Sequence, residues 1–281
     1  MNSPRDDIHA ASPARAAALA LSAVALVALG AACSDVRPGD ERDQSPGYRA
    51  GTAEDDYLSN GERGNVFISE VNWAGSVRSG VRGLRKHDPD DIFIEFQNKH
   101  PRPIHMTGWQ IVVRTGTGDP LRDAEFHRTD PPERIFVIPP RENGESIQPN
   151  AFVTVAAKRD GAFPNADYYI EDLALPDARW EITLKDLDDR LIEPAGAVSQ
   201  DVFAGGYDLV TVRSMERIQL IFSNRGSSES SWHAYSYNVW DEQHAELTQH
   251  IDPAYREFTF ASPGLANSPD YSGNTAGGDF Q

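Results

Sequence analysis

A single cysteine, Cys33, is the only thiol in 281 residues. Any folded body beyond it therefore has no disulfide and no thiolate metal site, whatever its compartment. Basic residues are scarce as well: 26 Lys and Arg stand against 43 Asp and Glu, a net charge of −17. Binding to a phosphate backbone depends on clustered cations, so nucleic acid is not an expected partner. The eight histidines are scattered, with no H-x-x-x-H pair and no H-E-x-x-H, which argues against a zinc site. There is no G-x-S-x-G elbow. The polar loop Asn224 to Trp232 (NRGSSESSW) lacks the lysine and the following helix that would cradle phosphate. No catalytic residue, metal or cofactor is assigned. Triads assemble across distant sequence, so this argues against an enzyme without excluding one.

One long apolar run exists. Ala16 to Ala32 is an uncharged, Ala/Leu/Val-rich stretch preceded by Arg15. As a helix rising about 1.5 Å per residue it is barely long enough to span a bilayer, and it is slightly long for a signal-peptide core. Small residues close it: Leu29-Gly30-Ala31-Ala32-Cys33. This resembles a bacterial lipoprotein signal, in which a diacylglyceryl group joins the cysteine sulfur and cleavage falls just before it. The resemblance implies a signal over residues 1–32 and lipidation at Cys33. Ordinary cleavage after Ala32 and an uncleaved membrane anchor are the other readings. All three export the rest of the chain, and several acyl chains would make the anchor effectively permanent.

Residues 33–64 read as a lipidated, disordered tether. Positions 34–64 hold eight acidic and four basic residues and almost no aliphatic side chains. Such a stretch cannot bury enough apolar surface to offset its ordering entropy, and its root-mean-square span is about 30 Å. A short tail, 269–281, is expected to be disordered too. Between them residues 65–268 form one domain. In Val66 to Trp73, the alternation puts Phe67, Val71 and Trp73 on one face and Glu70 and Asn72 on the other; Trp180, Ile182 and Leu184 alternate cleanly with polar residues. Further strands are expected at Ile92–Asn98, Trp109–Arg114, Arg134–Ile138, Phe152–Ala157, Arg217–Phe222 and Trp232–Tyr237. The only plausible helix is Asp241 to His250. Many short strands without alternating helices make the fold class all-β.

Taken in order, these strands resemble a lamin-tail domain. The resemblance rests on Ile68, Glu70 and Val71, then Phe93, Ile94, Glu95, Phe96 and Asn98, then Met106, Thr107, Gly108 and Trp109. It continues through RIFVIPPRENGESIQPNAFVTVA, with Asn150 where the family usually has glycine, then WEITLKDLDDRLIE, SMERI (Ser214 to Ile218), Trp232 and ASPGLAN (Ala261 to Asn267). The match covers about residues 66–267. It implies an immunoglobulin-like β-sandwich with enlarged loops near residues 74–90, 114–132, 193–213 and 238–257. Gly108 suits a tight turn into the Trp109 strand, and the Asn98 side chain can bond backbone at a strand end.

Two acidic clusters have bland and functional readings. Asp186, Asp188 and Asp189 could offer oxygens to Ca²⁺, but Leu191 and Ile192 follow at once, as in a solvated hairpin turn. His87-Asp88-Pro89-Asp90-Asp91 reads as a loop into the next strand. His244 and His250 fall on different sides of any helix. Tyr235, Tyr237, Trp240 and Tyr255 either pack or offer anchors to a partner. The sequence thus leads to an exported, lipid-anchored, non-enzymatic recognition or scaffolding protein. Its expected partners are the membrane through Cys33 and an envelope protein or polysaccharide. The alternatives are an enzyme, or an accessory domain of one, of membrane-associated hydrolase or nuclease type, and a Ca²⁺-dependent adhesin.

Overall fold

A computed structural model describes residues 62–116, 133–141, 146–176, 179–221, 223–237 and 241–270, with the backbone of 48–49 and 59–60. Cys33, the leader and the tail beyond residue 270 lie outside the described residues, as does most of the expected tether. The strands in chain order are β1 (Tyr48–Arg49), β2 (Ser59–Asn60), β3 (Val66–Asn72), β4 (Ser76–Ser79), β5 (Arg85–Asp88) and β6 (Phe93–Asn98). They continue with β7 (Gln110–Thr115), β8 (Glu133–Val137), β9 (Phe152–Ala156), β10 (Tyr168–Tyr169), β11 (Trp180–Lys185) and β12 (Leu191–Gly196). The last are β13 (Gly206–Tyr207), β14 (Val212–Arg213), β15 (Met215–Arg217), β16 (Trp232–Ala234) and β17 (Thr259–Phe260). One short helix, α1 (Asp241–Leu247), lies within the stretch expected to be helical. The domain is all-β.

Two sheets share the main core. One has six strands in the order β10-β9-β6-β3-β15-β16, the other four in the order β12-β11-β7-β8. Between them lie Ile68, Val71, Ile94, Phe96, Val153, Val155 and Met215 from the first, and Trp109, Ile111, Val113, Trp180, Ile182, Leu184 and Ile192 from the second. The Trp109 and Trp180 strands alternate as their sequence requires. Gly108 sits at φ +81 in the turn that starts β7, a conformation that costs glycine nothing. Asn98 accepts from the His100 amide and donates to the Arg102 and Ile147 carbonyls, closing the end of β6.

β3 departs from simple alternation. Val66 and Ile68 face the core, and so does Val71. The register to β6 slips between Ile68 and Glu70, so Ser69 is an extra residue in a β-bulge. Ser69 and Glu70 both turn outward, and Phe67 is not on the face of Val71. The strand expected at Arg217–Phe222 lies earlier in the chain: β15 is Met215–Arg217 and shares only Arg217 with that range. Its ladder to β3 has only the rungs Met215–Val71 and Glu216–Glu70 and stops at the bulge, where the Arg217 side chain approaches the Ile68 carbonyl. Residues 218–221 are loop.

The outer face of the six-stranded sheet is covered by irregular chain rather than by solvent. Phe93 and Ala156 pack there against Ala162, Phe163, Ile251 and Ala261. A smaller cluster of Ala74, Val77 and Val212 joins the β4–β5 hairpin to the three-stranded sheet β13-β14-β17.

Candidate functional site

The register of the six-stranded sheet aligns one polar residue from each of five strands. His233 on β16 stands opposite Glu216 on β15, Glu216 opposite Glu70 on β3, Glu70 opposite Glu95 on β6, and Glu95 opposite Thr154 on β9. The row runs across the outer face, and the bulge at Ser69 is what turns Glu70 into it. All three glutamates have no exposed surface at all. Three adjacent buried carboxyl groups need hydrogen-bond donors, and the C-terminal segment 261–268 supplies them.

Glu70 accepts the Ser262 amide at 2.9 Å and the Ser262 hydroxyl at 3.0 Å. Glu95 accepts the Gly264 amide and, at 2.7 Å, the hydroxyl of Ser69. Glu216 accepts the Ser268 amide at 3.1 Å and the Ser268 hydroxyl. Asn267 ties the same segment to the sheet through the Ser69 and Arg217 carbonyls. The segment is thus strapped across the row by its own backbone.

The Ser262 hydroxyl fixes a protonation state. It lies 3.0 Å from Glu70 Oε2 and 2.9 Å from Glu216 Oε1. A hydroxyl has one proton to give. It donates to one carboxyl, and the other contact is attractive only if that second carboxyl is protonated and donates to Ser262 Oγ. At least one proton therefore resides on the Glu70–Glu216 pair. The electrostatics agree. Burial raises Glu216 to about 8, with the Glu70 charge adding to the rise. Burial raises Glu70 to about 7, against the pull of its hydroxyl and amide donors. Glu95 is pushed well up by burial and then by Glu70. Like charges in adjacent rungs and low dielectric both favour the neutral acid. Chemically the row stores protons and grips backbone amides, and its oxygens are turned toward the protein's own donors.

A second buried charge joins the two sheets. Arg217 of β15 meets Glu193 of β12 at 2.7 Å, their side chains 0% and 8% exposed. Arg217 also donates to Asn224 and lies over the Trp232 ring. Burial pushes each partner toward its neutral form, and the contact between them opposes that. At the β9 end of the row, a groove of about 390 Å³ is lined by Phe152, Thr154, Asn165, Asp167, His250 and Gly264, among others. Asp167 there is taken by Arg141 and the Thr154 amide, and His250 Nδ1 by the Pro263 carbonyl.

The sites singled out in the sequence fare differently. Asp186 is buried and accepts from the Asp188 and Arg190 amides and from the Arg190 guanidinium; Asp189 pairs with Lys185. This turn is hairpin chemistry. In the second cluster, Asp88 pairs with Lys158 and His87 stacks on Tyr207. Asp91 is fully buried, bonded to the Ser76 hydroxyl and the Ala162 amide, and burial raises its pKa. The cluster therefore braces the β4–β5 hairpin against the sheet. His244 bonds the Tyr235 hydroxyl, and Tyr235 is buried while Tyr237 is about half exposed. Trp240 lies outside the described residues. Glu70, Glu95 and Glu216 were visible in the sequence only as motif letters; the available signal was a lone carboxylate inside each of three apolar strands. Among known proteins, no family model matches this chain, and no curated protein is significantly similar to it.

Proposed function

We propose that the chain is an exported, lipid-anchored, non-enzymatic protein that presents a lamin-tail-like immunoglobulin β-sandwich as a recognition or scaffolding module at the cell envelope. The observation that carries the non-enzymatic part is the state of the buried acids. Among the described residues, Glu70, Glu95, Glu216, Asp91 and Glu193 are the buried acids whose pKa burial raises, and each accepts from donors of the protein itself. A catalytic acid has to reach a substrate proton within hydrogen-bond distance, whereas these groups hold strands and the C-terminal strap together.

The sandwich reading is supported by two sheets facing across one core and by Asn150. Asn150 adopts φ +63 at the position where the resembled family has glycine, and asparagine is the residue that best tolerates that region after glycine. The Ca²⁺-adhesin reading has less support, since the oxygens of Asp186 already accept from Arg190 and from backbone. Export and lipidation rest on the run Ala16 to Cys33. They are tested by metabolic labelling with a fatty acid: the wild-type chain incorporates label in the membrane fraction and Cys33→Ser does not. Equal labelling of both, or recovery of the wild type in the cytosol, would overturn the reading.

A further inference from the structure

The net charge of −17 conceals one surface of the opposite sign. The β4–β5 hairpin and its turn carry Arg78, Arg82, Arg85 and Lys86, and their one carboxylate, Asp88, is the last residue of β5, at the base. The hairpin is registered from Ser76–Asp88 to Ser79–Arg85, so the four cations lie on its outer half and apex. The apex also exposes two aliphatic side chains that a folded protein normally covers: Val81 is 83% exposed and Leu84 72%. Its turn holds Arg82 at φ +64 beside Gly83 at φ +75, keeping Val81 and Leu84 on a tight protruding loop.

The base of the hairpin is fixed while its tip is bare. Ser79 bonds the Ala254 carbonyl and Glu257, and Thr259 bonds Val77 on both sides of its peptide. Arg78 lies over the Tyr255 ring and Arg85 over Phe258, so their stems are braced and their charge remains available. None of the four cations makes an ion pair with a described residue. Of the carboxylates near the hairpin, Glu257 accepts from Ser79 of β4, below the apex, and Asp88 at the base pairs with Lys158.

We infer that this tip docks on an anionic phospholipid bilayer, with Val81 and Leu84 entering the headgroup–acyl boundary and Arg82 and Lys86 meeting phosphates. Apolar residues at an apex ringed by cations match the layering of a membrane interface, where apolar groups go deepest and basic groups remain at the phosphates. A soluble polyanion would use the cations but would leave both aliphatics in water. The acidic remainder of the surface is repelled by the same bilayer, which orients the domain tip-first. The inference rests on the anchored reading only for which membrane is met.

The test uses the full chain with Cys33→Ser and Leu84→Cys, carrying an environment-sensitive fluorophore on the new thiol. Because lipidation is removed, the outcome does not depend on the anchor. The probe should shift to the blue and be quenched by bromine-labelled lipid in vesicles of equal parts phosphatidylglycerol and phosphatidylcholine. Pure phosphatidylcholine should give little of either. Adding Arg82→Ser and Lys86→Ser should cut the docked-to-undocked ratio about 30-fold at low salt. The same fluorophore at Leu187→Cys, on the β11–β12 turn, should remain unquenched. No quenching at position 84 on anionic vesicles would overturn the inference, and so would equal quenching on both vesicle types. Tip protection by a soluble polyanion without lipid quenching would likewise overturn it.

Discussion

Replacing Glu216 by glutamine should make the protein more stable, and the gain should grow with pH. Glutamine has the shape of the protonated acid: its carbonyl accepts from Ser268, and its amide donates to Ser262 Oγ as the acid proton does. What it lacks is the ability to ionise. The sign follows from proton counting. Glu216 holds its proton up to about pH 8 in the fold, and an unfolded glutamate releases it near 4.5. Between these values the native state binds more protons than the unfolded chain, so stability is fully present below about 4.5 and is lost as pH rises toward 8. One excess proton, the number that Ser262 requires, corresponds to about 1.4 kcal/mol per pH unit. From pH 5 to pH 7 the wild type should lose about 3 kcal/mol from this source, or about 6–12 °C in Tm for a domain of this size. His233 and His244, pushed down by burial, act oppositely: they favour unfolding as pH drops through the ordinary histidine value near 6.5. The difference between Glu216→Gln and wild type removes the His244 contribution, and making the same comparison in a His233→Gln background removes that of His233, which lies 3.6 Å from Glu216 Oε2. Thermal unfolding of both proteins across pH 5 to 8 should show nearly equal Tm at the acid end and a widening advantage for the variant. A gap that is flat with pH, or one that favours the wild type at pH 8, would refute the shared-proton argument.

Other perturbations test the remaining links. Glu193→Ala leaves Arg217 buried without its carboxylate and should cost about 3–5 kcal/mol in denaturant unfolding, whereas the double replacement Glu193→Leu with Arg217→Met should recover most of that loss. Asn150→Gly should be nearly neutral. Asn150→Val, which forces a β-branched residue to positive φ, should cost about 1–3 kcal/mol in the same measurement.

Strands whose two faces differ in polarity were legible. Trp180-Glu181-Ile182-Thr183-Leu184 and the set Trp109, Ile111 and Val113 needed only period-two spacing, and the structure places Trp180, Ile182, Leu184, Trp109, Ile111 and Val113 in the core between the sheets. The β3 bulge was not legible, because alternation assumes that no residue is inserted, and Ser69 breaks the phase between Ile68 and Val71. The glutamate row was hidden for a related reason. Residues 70, 95 and 216 are far apart in sequence, and only strand order and register make them neighbours. The role of Ala261 to Ser268 as a strap depends on that same alignment. The cationic hairpin was masked differently: a whole-chain charge of −17 averages over a local cluster that the fold then isolates on one protrusion.

We propose that this domain is carried outside the cytoplasmic membrane on a lipid-modified Cys33. Mass spectrometry of the N-terminal peptide from protein isolated from its native cells tests it most directly. The expected result is a mature chain that begins at Cys33 and carries the mass of a diacylglyceryl group on its sulfur. An unmodified cysteine within a chain still beginning at Met1 would contradict it.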